Sequence, residues 1–129
     1  VKEITPEIIA APLARYAHGI EVPAHWRLLR TSGQLALDGA GKVPDGAEAQ
    51  ARLCFENIRA ILAEAGMGPG DVAHLTAYVT DRAHMAGYMA ARDAFLEGTG
   101  RRPASTLLVV AGFTRPEFLV EVEVMAAAP

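Results

Sequence analysis

The chain of 129 residues has one cysteine, one tryptophan and aromatic side chains at only 6% of its positions. A single thiol, Cys54, excludes an internal disulfide framework and a cysteine-rich zinc site, and it fits a reducing compartment. No apolar run approaches the roughly 18 residues of a membrane-spanning helix. The opening segment carries Lys2, Glu3 and Glu7 where a signal peptide would have its apolar core. A cytoplasmic domain with no membrane partner is the expectation. An excess of charge is also missing: 12 basic against 15 acidic side chains leave a formal charge of −3. Arg101 and Arg102 make a pair, not the basic stripe that nucleic acid requires, so no nucleic-acid partner is expected. The turn Asp38-Gly39-Ala40-Gly41 contains no GxGxxG and no Lys-Ser/Thr pair opening a helix, which argues against a phosphate loop. His18, His25, His74 and His84 fall on four different elements, none at HxH or HxxxH spacing, so neither a metal nor another cofactor is expected.

What is present is ordinary globular material: 51% hydrophobic and 21% charged residues, read as one domain over 1–129. Strands are expected at Arg15–Val22 and at Trp26–Gly33, the second continuing through Leu35–Leu37. From Ala47 the period changes. Ala51, Cys54, Ile58, Ile61, Leu62 and Ala65 recur at three- and four-residue steps and predict an amphipathic helix that Gly66 stops. A strand at Asp71–Thr80 and a second helix at about Arg82–Glu97 follow. Two last strands, Ser105–Phe113 and Phe118–Ala127, are joined by a turn at Thr114-Arg115-Pro116. This order implies an α+β fold with two helices packed on one face of a mostly antiparallel sheet.

Both alternating sets of Ser105–Ala111 are largely apolar: Thr106, Leu108 and Val110 on one side, Leu107, Val109 and Ala111 on the other. Two helices cover only one face, so a second copy of the chain is expected to cover part of the other. The alternative is a monomer whose N-terminal segment folds across the sheet. In the last strand Val120, Val122 and Val124 alternate with Glu121 and Glu123. A carboxylate on such a mixed face, partly removed from water, suits the holding or activation of a water molecule; a solvated edge-strand pair is the competing reading. Cys54 lies on the apolar helix stripe, where a small buried hydrophobe is the default role. Ser105 and Thr106 have no GxSxG elbow around them, which leaves a serine hydrolase without support.

An ordered set of motifs spans nearly the whole chain from about Pro12. It comprises Tyr16-Ala17-His18-Gly19, Thr31-Ser32-Gly33-Gln34, Gly41-Lys42-Val43-Pro44, and Gln50 with Asn57. It continues with Ala65-Gly66, Gly70-Asp71-Val72, Thr76–Asp81, Pro103-Ala104-Ser105 and Val120-Glu121-Val122-Glu123. Together they resemble the Rid family of reactive intermediate deaminases, also called YjgF or L-PSP endoribonuclease-like proteins. The resemblance implies a chorismate-mutase-like fold of the bacillus type and a homotrimer with ligand clefts between subunits. It also implies hydrolysis of small imines and enamines, with an arginine gripping the substrate carboxylate and a glutamate on the last strand positioning water.

Carried over by position, the resemblance makes Glu121 the catalytic glutamate. It places Tyr16, His18, Ser32 and Gly33 of the SGQ strand, Met89, Ser105, Thr106 and Leu107 around a small-molecule ligand. Serine stands at 105 where the family pattern has arginine, and Met89 where it has asparagine. Losing a buried bidentate charge contact costs on the order of 2–5 kcal/mol of binding. The expectation is therefore a Rid-like homotrimer that binds or hydrolyses a small metabolite, with an imine deaminase as the alternative. Arg101, Arg102 or Arg115 would have to bend back to replace the missing guanidinium. A ribonuclease or translation inhibitor is the third reading, and the charge balance argues against it.

Overall fold

The helices form where the apolar period predicts them. In the computed structural model, which describes residues 1–129, helix α1 covers Ala47–Glu64 and helix α2 covers Met85–Leu96, led in by a 3₁₀ turn at Arg82–His84. Ala51, Cys54, Ile58 and Leu62 of the α1 stripe are buried. Gly66 takes a left-handed φ of 70°, and the N–H groups of Met67 and Gly66 donate to Leu62 O (2.8 Å) and Ala63 O (2.9 Å). That pairing satisfies carbonyls the helix would otherwise leave open.

The strands depart further from expectation. β1 (Lys2–Ile4) and β2 (Gly19–Glu21) form a small antiparallel sheet of their own. The main sheet contains β3 (Arg27–Arg30), β4 (Gln34–Leu35), β5 (Val72–Val79), β6 (Ala104–Val109) and β7 (Val120–Ala128). Its order is β3-β7-β5-β6, with β4 also on β7. β6 runs parallel to β5, because α2 carries the chain back between them; the sheet is mixed, although its other pairings are antiparallel. The last two strands are not neighbours: β7 lies between β5 and β3 and β4. The strand expected from Trp26 through Gly33 to Leu37 breaks at Thr31–Gly33. There the Thr31 N–H donates to Val124 O, while Thr31 Oγ1 replaces a main-chain carbonyl as acceptor for the Val124 N–H, both at 3.0 Å.

Both helices pack on one face of this sheet. Leu75, Ala77 and Val79 of β5 and Val120, Val122 and Val124 of β7 are buried in the shared core with Phe55, Ile58, Tyr88 and Phe95. The opposite face carries His74, Thr76, Tyr78, Glu121, Glu123 and Met125, all half-buried, beside Leu108, which is 47% exposed. The N-terminal segment does not cover it. Instead it docks at the start of β6, where the Glu3 carboxylate accepts from the Arg102 backbone (2.8 Å) and guanidinium (3.1 Å), and Ala17 N–H donates to Pro103 O.

One buried polar side chain ties the layers together. Gln50, 2% exposed, donates through Nε2 to Pro44 O (3.0 Å) and Glu117 O (2.9 Å) and accepts from Leu119 N–H through Oε1 (2.8 Å). Gln50→Ala strands three backbone groups, and urea unfolding is expected to show a loss of about 2–4 kcal/mol.

Candidate active site

Glu121 sits on the half-bare face of the sheet, in register with Leu35 on one side and Tyr78 on the other. Its carboxylate accepts no hydrogen bond from any other group of the chain. The break after Thr31 brings Gly33 against it so closely that a Cβ there would overlap Glu121 Oε1 and lie 2.7 Å from its Cδ. Glycine matters here for the space it leaves this carboxylate, not for its φ. Burial, and then the charge of Glu123, holds the Glu121 carboxyl above its ordinary pKa. Glu123 is differently placed: Tyr78 OH donates to its Oε1 at 2.5 Å, which raises the Tyr78 pKa. Arg30, His74, Thr76 and Glu123 are among the residues lining a hollow of about 280 Å³ on this face. Of the two glutamates, Glu121 is the one free to take a proton from water.

Ser105 lies on the other face. The parallel register sets it beside Leu75, on the side of the helices, so within one chain its hydroxyl and the Glu121 carboxylate are separated by the sheet. Thr106 shares the face of Glu121 and is exposed; Leu107 shares that of Ser105. β6 is the outer strand, which leaves one row of its backbone amides without a strand partner. Met89 is half-buried against the core. Its neighbour Tyr88, fully buried, comes to Ser105 instead. Burial pushes the Tyr88 phenol up to about 12, against the opposite pull of the Arg92 guanidinium and of Ser105.

Tyr16 and His18 belong to the N-terminal loop, their rings edge to face at 6.0 Å. Tyr16 OH accepts from Leu13 N–H (3.2 Å), and His18 Nε2 lies 2.7 Å from Ala10 O. The Ala17–Pro103 hydrogen bond brings this loop to the strand that carries Ser105. Ser32 is exposed in the break between β3 and β4. Arg102 is held by Glu3, Arg115 is paired with Glu117 (3.7 Å), and Arg101 is exposed, so no guanidinium of these three is held at Ser105. No three His, Cys, Asp or Glu side chains converge as metal ligands, and Cys54 is inert, its thiol pushed up to about 12 by burial. No helix is long and apolar enough to cross a membrane.

A mixed sheet under two helices, with an unpaired glutamate seated over a glycine, defines an α+β domain suited to small-molecule chemistry. The family model described as endoribonuclease L-PSP matches residues 8–128. The chain is 32% identical over 127 residues to the 2-iminobutanoate/2-iminopropanoate deaminase of Salmonella typhimurium, with 97% of this chain and 96% of that one covered. The enzyme of the same name from Escherichia coli K12 is 31% identical over the same length. Among solved structures, the Rid-family protein YyfB of Yersinia pestis superposes with a TM-score of 0.84 at 29% identity over 98% of both chains. E. coli TdcF with bound serine superposes with a TM-score of 0.75 at 25% identity over the full length of both. The chain belongs to the Rid family.

Proposed function

We propose that this protein hydrolyses small 2-imino acids to 2-oxo acids and ammonia, in clefts closed between copies of the chain. The observation that carries the reading is the Glu121 carboxylate: partly desolvated, without an internal donor, and packed over the one residue that leaves it room. A carboxylate in that state takes a proton from a bound water as the oxygen adds to the C=N carbon. That proton passes to the imine nitrogen to give the carbinolamine; the carbinolamine hydroxyl then gives up its own proton, which also reaches nitrogen, and the carbon–nitrogen bond breaks as the C=O forms and ammonia leaves. The names of the full-length relatives, and serine bound to TdcF, support a small amino-acid-like ligand.

Separation of Glu121 and Ser105 by the sheet supports a cleft built from two subunits. One copy would contribute Glu121 and Gly33, and its neighbour the outer strand β6 with Ser105, the loop of Tyr16 and His18, and free amides near Thr106 and Leu107. The exposed Leu108 fits burial in the same contact. In this reading the copies form a homotrimer, so light scattering should return three times the 13.7 kDa subunit mass. The activity is tested with 2-iminopropanoate generated freshly in the assay. Hydrolysis above the buffer rate, proportional to enzyme, is expected; a rate indistinguishable from buffer overturns it.

A further inference from the structure

On the half-bare face of the sheet, the pairing of β3 and β5 with β7 sets Arg30, Met125 and His74 in one row and Glu123 and Thr76 in the next. These five side chains border the hollow of about 280 Å³, and none of them comes from β6. Met125, at its floor, lies four residues beyond Glu121 on β7, about 13 Å along the strand, so the hollow opens away from the Glu121 carboxylate. The Arg30 guanidinium, exposed at the rim, makes no ion pair or hydrogen bond. Glu123 accepts from Tyr78 OH through Oε1, which leaves Oε2 open. His74 Nδ1 lies 3.3 Å from Thr76 Oγ1, which leaves Nε2 open. A guanidinium and a carboxylate thus share one hollow without pairing across it.

We infer that this hollow binds one small α-amino acid as its zwitterion, the carboxylate on Arg30 and the ammonium on Glu123. Opposite charges held apart across a hollow fit a ligand that carries both in the reverse order. A simple anion would meet Arg30 but be repelled by Glu123, and a simple cation would meet the converse. Pockets for drug-sized ligands run to about 300–1,000 Å³, so a hollow of about 280 Å³ suits a single amino acid. Met125 gives the ligand's side chain an apolar floor between the two charges, and His74 and Thr76 can take a hydroxyl on it. The site stands apart from the hydrolase reading, since it needs neither Glu121 nor a residue of β6.

The test titrates the intact protein by calorimetry with L-alanine, with propanoate, which lacks the ammonium, and with L-alaninamide, which lacks the carboxylate. Wild type is expected to bind alanine at least about tenfold tighter than either. Arg30→Gln should weaken alanine about tenfold and leave alaninamide unchanged, and Arg30→Lys should recover part of the loss. Glu123→Gln, whose side-chain carbonyl still accepts from Tyr78, should weaken alanine by a similar factor and tighten propanoate, because the repulsion is gone. Gly33→Ala, which displaces only the Glu121 carboxylate, should leave alanine affinity where it was. A wild type that binds the three compounds alike, or does not bind alanine, overturns the site. So does loss of alanine binding in Gly33→Ala, which would place the ligand at Glu121. An Arg30→Gln protein that keeps wild-type alanine affinity overturns it as well. One whose copies separate on light scattering does the same, since Arg30 is then a subunit contact. Every readout here is binding, so turnover of 2-iminopropanoate, present or absent, decides the hydrolase reading separately.

Discussion

Glu121→Gln is expected to lower hydrolysis of 2-iminopropanoate by about 10²–10⁴-fold, the usual contribution of a positioned base. Glutamine keeps the shape over Gly33 and removes only the proton acceptor, so ligand affinity should change little. The same variant is expected to be more stable than wild type near neutral pH. Burial and Glu123 raise the folded-state pKa of Glu121 above its ordinary 4.5, so ionising it in the folded protein is unfavourable. Stability of the wild type is therefore lost as pH rises from about 4.5 through the raised folded-state value. Below that window both proteins carry a neutral side chain and the difference should vanish. Activity runs the other way: as a base, Glu121 works only when ionised, and the acid limb of the wild-type rate profile should lie above the ordinary carboxylate range. Unfolding titrations at pH 4 and pH 7 with paired rate measurements check both signs. Equal rates in the two proteins would remove Glu121 from the chemistry.

Gly33→Ala should be almost as damaging to turnover, on the order of 10²-fold, without touching an ionisable group. The added methyl would overlap Oε1, Cδ and Cγ of Glu121. All three belong to the flexible end of a side chain, so the fold yields by moving the carboxylate and the stability change should stay within about 1 kcal/mol. Displaced toward solvent, the carboxylate regains hydration, and the acid limb of the rate profile should shift down. A folded Gly33→Ala protein with wild-type turnover and an unmoved limb would show that the contact with Gly33 does not position the acid. Glu121→Gln and Gly33→Ala thus separate the base itself from the backbone that aims it.

Much of this site is legible in the chain. The alternation Val120-Glu121-Val122-Glu123 assigns the glutamates to one face and the valines to the other, since a strand has a period of two. The spacing of Ala51, Cys54, Ile58 and Leu62 places the first helix, and Gly66 its end. Glu121 could not be distinguished from Glu123 in this way, because the two share every local property. Only Tyr78 separates them: register sets it opposite Glu121, but its hydroxyl reaches diagonally to Glu123 and leaves Glu121 free. The break at Thr31 was equally hidden, as a side-chain oxygen substituting for a carbonyl looks in sequence like an ordinary β-branched strand residue.

Local order along the chain determined the family, the two helices, the α+β class and the acid on the last strand, because these depend on period, glycine positions and motif spacing. Tertiary structure alone decided which groups meet. Ser105 and Glu121 lie on different strands, and their faces follow from how β6 and β7 each register on β5: Thr76 pairs with both Thr106 and Glu123, which sets Ser105 on the side opposite Glu121. It also brought Tyr88 to Ser105. No sequence period reports that encounter, since a helix fixes its own stripe but not the strand it crosses.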